Sequence, residues 1–333
     1  MKQDEEVIGD MFFIETSGRS WLTPREACTL ESAEKFSNLH INMIFVAKEL
    51  DLNDNSTCYL YQNSKKIRKK LKILKNLILL VTLSPFRSDI WSNEIHIFKI
   101  LLSFYTINIT EAVKNTPIEN LYNLPEFKSS PNRMTHLSDS LRLVLIYKFG
   151  GFYSDIDMIV IKDMSKLRNV FANIGVRHIP NGEFQLEKNH RIMLPILTKI
   201  KEEYKGQGRT EIGPLFGKIK SICIKKLWIP FSVTRVIMNV YNISSVQNFT
   251  TPDLTVLPSQ KFFPATSMQL GKLWTESSKS VADWTEMFQD SVMVHFYSAQ
   301  TQGWLVQRNP HHEAYAALGP IFCPTAYWST ADF

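Results

Sequence analysis

Cysteine is scarce in this chain of 333 residues. The four present, Cys28, Cys58, Cys223 and Cys323, are far apart and include no Cys-x-x-Cys pair, which excludes the usual spacing of structural zinc and of dithiol redox sites. An even number permits two disulfides without showing them. Long apolar runs are missing too: "LILLVTL", Leu77 to Leu83, is far short of the roughly 18 residues that a membrane-crossing helix needs. The N-terminal "MKQDEEVIGD" is acidic, where a secretory signal carries positive charge. Charge of one sign is weak, with 38 Lys and Arg against 32 Asp and Glu for a net +6. That excess suits an ordinary solvated surface, or attraction to an anionic ligand or membrane. The most basic run, "SKKIRKKLKILKN" from Ser64 to Asn76, reads as an amphipathic helix. No nucleic-acid reading module accompanies it, so nucleic acid is not an expected partner. Internal repeats and low-complexity tracts are absent, and no domain boundary is marked.

What is present is globular composition, 44% hydrophobic and 21% charged, enough for one large α/β domain or two ordinary ones. "MFFIETS", Met11 to Ser17, reads as a buried strand ending in small polar residues, where α/β proteins commonly place a ligand. A helix over Thr23–Ser37 comes next, with Thr23 as N-cap, Pro24 in the first turn and Glu26 three residues after the cap. "INMIFVAKEL" is a second strand, and strand, helix, strand in this order predicts parallel pairing. The segment from Leu77 to Phe98 has no clean periodicity. "ITEAVKNTPIENLYN" resumes helical spacing and "PEFKSSPNRM" is a loop. A helix is expected from about Arg191 to Tyr204, and short strands with polar loops in the C-terminal third. Four Asn-x-Ser/Thr sequons, at Asn55, Asn108, Asn242 and Asn248, are compatible with a secretory lumen.

One stretch does not read like ordinary packing. In "LSDSLRLVLIYKFGGFYSDIDMIVIKD", Leu137 to Asp163, a nearly continuous apolar run is interrupted by Asp139, Arg142, Asp155 and Asp157, and a buried charge is costly unless answered. The first part reads as a helix buried all round, on which Asp139 and Arg142, three apart, share a face. Gly150 and Gly151 end it where the backbone must reverse. The segment after the two glycines reads as a strand placing Tyr153, Asp155 and Asp157 on one side, the two carboxylates about 7 Å apart at ~3.3 Å rise per residue. Such a pair repels itself unless a cation intervenes, and an oxygen-rich site with few protein ligands suits Mg²⁺ or Mn²⁺ carrying phosphates. The four charges are therefore expected to converge, Asp139 and Arg142 on a sugar's hydroxyls, Asp155 and Asp157 on a metal.

These residues resemble the Asp-x-Asp block of the retaining α1,4-galactosyltransferase and α1,4-N-acetylglucosaminyltransferase family, and more distantly the clostridial glucosylating toxins. "FFIETS", "CTLESAEK", "NTPIENLY", "NGEFQLEKNH", "IGPLF", "VHFYSAQTQG" and "FCPT" fall in the family's order. The resemblance implies an α/β fold of the GT-A type, a Rossmann-like mixed sheet flanked by helices, forming one catalytic domain over 11–333 after an N-terminal tail, 1–10, that lacks the membrane anchor. It implies a UDP-sugar donor, Mn²⁺ or Mg²⁺, a glycolipid or glycoprotein acceptor, and a Golgi membrane location with the catalytic domain in the lumen. By motif, Asp139, Arg142, Asp155 and Asp157 are the catalytic set. Phe13, Glu15, Thr16 and Tyr153 join Asp139, Arg142 and Asp155 around the donor, and His295 joins Asp155 and Asp157 on the metal. Asn181, Gly182, Glu183, Gly213 and Pro214 form the acceptor or sugar pocket, with Trp274 or Trp304 available to line an acceptor groove.

Four departures accompany the resemblance, the first being that Leu77 to Phe98 has no evident family counterpart. Glu183 stands in "NGEF" where relatives have a small residue, Ile212 replaces Gln before Gly-Pro, and Tyr297 replaces Trp after His295. A lumenal enzyme can hold disulfides, and the pairs expected are Cys28 with Cys58 and Cys223 with Cys323. Two rival readings are weighed against transfer: a phosphatase or phosphotransferase using Asp155 as nucleophile, and a catalytically silent carbohydrate-binding relative.

Overall fold

The computed structural model describes residues 9–46, 78–79, 102–174, 178–209, 211–212, 233–266, 269–274, 279–301, 303–304, 306 and 313–329. The expected basic helix over 64–76 and nearly all of 77–98 lie outside these.

Strand β1 (Asp10–Glu15) is buried on both faces, helix α1 (Pro24–Phe36) comes after it, and β2 (His40–Phe45) pairs parallel to β1. The start of α1 is built as its sequence dictates. Thr23 Oγ1 accepts from the Glu26 N–H and the Glu26 carboxylate accepts from the Thr23 N–H, so two N–H groups at the helix start are answered, and Pro24 in the first turn has none to leave unmet. Beyond β2 come the two-residue β3 (Ile78–Leu79) and then β4 (Leu102–Ile107). Helix α2 (Arg133–Phe149) and strand β5 (Gly151–Ser154) carry the charged stretch, and β6 (Met158–Val160), β7 (Val170–Ala172) and β8 (Glu183–Leu186) succeed them. Helices α3 (Met193–Glu203) and α4 (Val233–Tyr241) precede β9 (Thr255–Leu257) and β10 (Met293–His295), and α5 (Ala314–Phe322) and α6 (Pro324–Trp328) close the described chain.

The main sheet runs β3-β4-β2-β1-β5-β8-β7-β9, with β4, β2, β1 and β5 mutually parallel and β8 antiparallel to both neighbours. This is the mixed sheet flanked by helices that the resemblance implies. Its two faces carry separate apolar clusters: Met11 and Phe13 of β1 point into the one that includes α1 and α5, Phe12 and Ile14 into the one that includes α2 and α3, the alternation that a strand imposes. Among the described residues no helix is long and apolar enough to cross a membrane.

Four expectations are corrected. The strand through "FYSDIDMIVI" is not continuous: β5 ends at Ser154, Asp155–Asp157 leave the sheet, and β6 pairs antiparallel with β10 in a separate two-stranded sheet. The loop expected over "PEFKSSPNRM" contains a short helix, Pro125–Ser129, which starts on proline and buries Phe127. The C-terminal third holds the short strands expected, β9 and β10, and also the helices α4, α5 and α6, which were not. These helices are short, and α5 is apolar almost all round with Pro320 inside, so neither periodicity nor length announced them. Finally, Cys28 is bonded to Cys323, 295 residues away, while Cys58 and Cys223 lie outside the described residues. Nearness in sequence could not reveal this pairing, because it results from α6 docking on α1. There the Glu31 carboxylate accepts from the N–H groups of Thr325 and Ala326, an acidic side chain answering the unmet donors of a helix start.

Candidate active site

The site forms where α2 meets the break after β5. Every residue of α2 from His136 to Ile146 except Ser138 is buried, so Asp139 and Arg142 face protein rather than water. Gly150 and Gly151 then turn the chain with φ of 70° and 102°. A side chain there would strike backbone, since a Cβ on Gly150 would lie 2.5 Å from the Lys188 nitrogen and one on Gly151 2.6 Å from the Asp10 carbonyl oxygen. The turn is a positive-φ reversal open to glycine, and it brings β5 back beside its own helix.

Arg142 is the hub. Its Nη1 lies 2.9 Å from Asp155 Oδ1 and donates to the Asn181 carbonyl at 3.3 Å, while Nη2 lies 3.3 Å from Asp139 Oδ1 and donates to Ser138 Oγ at 2.8 Å. The guanidinium also stacks over the Tyr153 ring at 4.6 Å, and the Tyr153 hydroxyl donates to Asp155 Oδ1 at 3.1 Å. Burial opposes charge on Arg142, but Asp155, Tyr153 and Asp139 outweigh it and hold its pKa above the ordinary value. Asp139, more deeply enclosed, is pushed by burial up to about 6 despite the guanidinium beside it.

On the other side of Asp155, the break in the strand turns Asp157 toward β10. His295 Nε2 lies 3.0 Å from Asp157 Oδ1, and ligand atoms of Asp155, Asp157 and His295 all lie within 4.8 Å of one another. Asp157 Oδ2 accepts from the Ser298 N–H at 2.7 Å. That N–H is aimed by Tyr297, which adopts φ 53°, stacks on the His295 ring at 4.0 Å and donates its hydroxyl to the Ala265 carbonyl. Burial works against charge on both Asp157 and His295, yet each outweighs it for the other, so Asp157 falls below the usual carboxylate range and His295 rises to about 9. Asp155 is shifted upward, first by burial and then by Asp157, with Arg142 opposing.

The segment Asn181–Glu183 forms the third wall. The Gly182 carbonyl accepts from the Asp155 N–H at 3.0 Å, and a Cβ on Gly182 would lie 2.7 Å from Asp155 Oδ2. Asn181 donates to Asp139 Oδ1 and to the Ile212 carbonyl, each at 3.4 Å. Ile212 thus serves through its backbone while its side chain joins the core. Asn181 Oδ1, both Glu183 carboxylate oxygens and His295 Nδ1 are buried without a hydrogen-bond partner, and Asp157 Oδ1, although close to His295 Nε2, receives no well-aligned hydrogen bond. Unmet polar atoms gathered in one place mark a surface built for something else to bind.

Two family descriptions match the chain: "Glycosyltransferase sugar-binding region containing DXD motif" over 24–174, and "Alpha 1,4-glycosyltransferase conserved region" over 230–330. The first contains Asp155 and Asp157 and the second contains His295, so the triad is divided between them. The chain belongs to the DXD-containing α1,4-glycosyltransferases.

Among curated relatives, lactosylceramide 4-alpha-galactosyltransferase of Mus musculus is 25% identical over 223 residues, 66% of this chain and 56% of that protein. The Homo sapiens protein of the same name is 24% identical over the same length and is 58% covered, so the chain matches little more than half of either. Alpha-1,4-N-acetylglucosaminyltransferase of Homo sapiens is 27% identical over 100 residues, 30% of this chain and 29% of that protein. The solved "PaToxG Glycosyltransferase" aligns over 71% of this chain and 70% of its own at 15% identity, with a TM-score of 0.40.

The remaining sequence candidates that the structure describes are not members of the triad. Phe13 is wholly enclosed in the core. Glu15 accepts from the Ser17 N–H and pairs with Arg19, which also holds Glu26 at 2.6 Å, and Thr16 beside it is half-buried. Gly213 and Pro214 lie outside the described residues. Trp274 is buried and meets the exposed Trp304 edge-on at 5.9 Å. A cavity of about 340 Å³ bordered by Asp10, Gly150, Gly151 and Lys188 opens at the opposite end of β1 and includes none of the charged site. Sequence reasoning missed Ser138, which holds Arg142, and the Ser298 N–H, which holds Asp157. The first sits one helical turn before Arg142, a spacing that could have announced it. The second depends on the turn at Tyr297 and left no local trace.

Proposed function

We propose that the protein moves galactose, N-acetylgalactosamine or N-acetylglucosamine from a UDP-sugar, in α1,4 linkage and with retention of configuration, to a terminal galactose or GalNAc-type residue of a glycolipid or glycoprotein. The observation that carries this reading is one partly buried site in which Asp155 belongs at once to an Arg142–Asp139 cluster and to an Asp157–His295 cluster. Relatives named for α1,4 transfer of galactose and N-acetylglucosamine support it.

Asp155, Asp157 and His295 would hold a divalent cation, Mn²⁺ or Mg²⁺. The donor set suits such an ion: two carboxylates with one imidazole are hard-to-borderline ligands, and the buried Asp157 Oδ1 is an acceptor without a well-aligned donor. Four carboxyl groups, those of Asp139, Asp155, Asp157 and Glu183, share the neighbourhood of two basic side chains, Arg142 and His295. When bound, the cation supplies charge neutralisation for a departing diphosphate. The protein's own part is positional. Arg142 orients Asp155 and Asp139 together, the Ser298 N–H fixes Asp157, and Tyr297 holds the His295 ring. Asp139 and Arg142 are the groups set to meet the transferred sugar. The exposed sequon residues Asn108, Asn242 and Asn248 and the Cys28–Cys323 bond accord with a Golgi-lumenal setting and an acceptor at its membrane.

The test is UDP formation by the purified chain with Mn²⁺ and each UDP-sugar in turn, with and without lactosyl and N-acetyllactosamine-type acceptors. One donor is expected to release UDP slowly to water and faster with acceptor. Binding of UDP with Mn²⁺ but no turnover would favour the silent carbohydrate-binding relative, and phosphate release without any UDP-sugar would favour the phosphotransferase.

A further inference from the structure

Helix α1 carries the stretch "CTLESAEK", Cys28 to Lys35, which contains two pairs of residues three apart on adjoining faces. Cys28 and Glu31 hold α6, through the disulfide and through the N–H groups of Thr325 and Ala326. Thr29 and Ser32, both buried, turn instead to the segment that bears the two aspartates. Thr29 Oγ1 donates to the Ile156 carbonyl at 3.0 Å, and Ser32 Oγ accepts from the Val160 N–H at 3.0 Å. Ile156 is the residue between Asp155 and Asp157, and its side chain packs on the apolar cluster that includes α1.

Backbone that leaves a sheet loses its ladder partners and has to find others. Across Asp155–Asp157, the Asp155 N–H donates to the Gly182 carbonyl and the Asp155 carbonyl accepts from Ser154 Oγ. The Asp157 carbonyl accepts from the Phe296 N–H, and the Ile156 carbonyl from Thr29. Of these four partners only Thr29 is a side chain from a distant part of the chain. The Ile156 carbonyl and the Asp157 N–H belong to one planar peptide, so the hydroxyl that holds the carbonyl fixes the plane from which Asp157 departs. The same hydroxyl lies 3.2 Å from the Arg25 carbonyl one turn back in its own helix, the bond a mid-helix threonine ordinarily makes, and the Ile156 carbonyl is the nearer of the two acceptors. We propose that Thr29 is a positioning residue for the ion site, holding Asp155 and Asp157 at the spacing a divalent cation needs without touching the cation itself. The proposal rests on the reading of Asp155, Asp157 and His295 as a cation site and assigns to α1 the setting of that site's geometry.

The experiment compares the full chain with Thr29→Val, Thr29→Ser and Ser32→Ala, by calorimetric titration of Mn²⁺ in the presence of UDP and by thermal unfolding without either. Valine keeps the branched shape and removes the hydroxyl, whereas serine keeps the hydroxyl. Thr29→Val is expected to weaken Mn²⁺ affinity about tenfold or more, the scale of losing a group that orients a metal ligand, and Thr29→Ser to stay within about threefold of wild type. Ser32→Ala leaves the Val160 N–H, beyond both aspartates, without its partner. It is expected to melt lower than wild type yet to keep Mn²⁺ affinity within about threefold. A Thr29→Val protein that melts lower but binds Mn²⁺ as wild type does overturns the proposal, because the hydroxyl then serves the fold alone. Equal weakening in Thr29→Val and Ser32→Ala also overturns it, since docking of α1 in general would then set the site. So does a Thr29→Ser protein that binds no better than the valine variant. A wild-type protein that takes up no Mn²⁺ with UDP instead removes the cation-site reading itself, and the proposal with it.

Discussion

Arg142 on α2 and Asp155 after β5 are joined at 2.9 Å across the glycine turn that separates them, and this ion pair ties the sugar-side acid Asp139 to the triad side of the site. Breaking it leaves the enclosed Asp139 and the partly exposed Asp155 without their counter-ion. Arg142→Ala is expected to lower unfolding free energy by about 3–5 kcal/mol, the cost typical of orphaning a buried charge, and Arg142→Lys by less. Urea denaturation measures both. A loss below about 1 kcal/mol for the alanine variant would mean that the pair is effectively solvated.

Asp157 receives the Ser298 N–H and faces His295 in the break between two strands, so its removal should cost activity rather than fold. Asp157→Ala is expected to depress Mn²⁺-dependent UDP release by about 100-fold or more, the scale of losing an electrostatic stabiliser, with an unaltered far-UV spectrum. Turnover close to wild type would dismiss the metal role.

Gly182 leaves room for Asp155. A methyl group there would stand 2.7 Å from Asp155 Oδ2, nearer than any carbon tolerates. Gly182→Ala is therefore expected to push the carboxylate aside and to weaken Mn²⁺ affinity about tenfold or more, by analogy with loss of a group that orients a metal ligand. Calorimetric titration reads this, and an unchanged affinity would show that Asp155 has a second productive rotamer.

Asp139 gives a pH signature. Its pKa is held at about 6 in the folded protein against 3.8 for the free side chain. Between these values the folded state keeps a proton that the unfolded chain has released, so the contribution to stability is full below about pH 4 and is lost as pH rises through 6, up to about 3 kcal/mol in all. Asp139→Asn removes this dependence. Its melting temperature should gain on wild type as pH rises from about 4 to about 7, and parallel curves for the two proteins would contradict the shift.

The Cys28–Cys323 bond closes nearly the whole chain on itself. A tryptic map without reductant is expected to yield those two cysteines in one linked peptide, and the Cys28→Ser, Cys323→Ser double variant to lose about 2–5 kcal/mol. Recovery of Cys28 linked to Cys58 would refute the docking of α6 on α1.

Much of the fold was legible because its determinants are local. Thr23, Pro24 and Glu26 write a helix start in four residues, and Gly150–Gly151 mark a reversal that only backbone without side chains can make. Asp139 and Arg142 share a face by spacing alone. Elsewhere local reading failed. The break between β5 and β6 could not be seen in "FYSDIDMIVI", since every residue is compatible with a strand and the departure is imposed by pairing of β6 with β10 far along the chain. The same is true of α5, whose uniform apolarity shows burial but no face.

The sequence by itself determined the kind of site this protein carries: charges placed three apart on a buried helix and two apart after a glycine turn have to be answered, whatever surrounds them. Only the tertiary structure decided the answers. His295 and Ser298 reach Asp157, Glu183 comes alongside, and Cys28 finds Cys323 because sheet pairing and helix docking join positions that no local propensity relates. Burial then raises the cost of leaving any of those groups unmet.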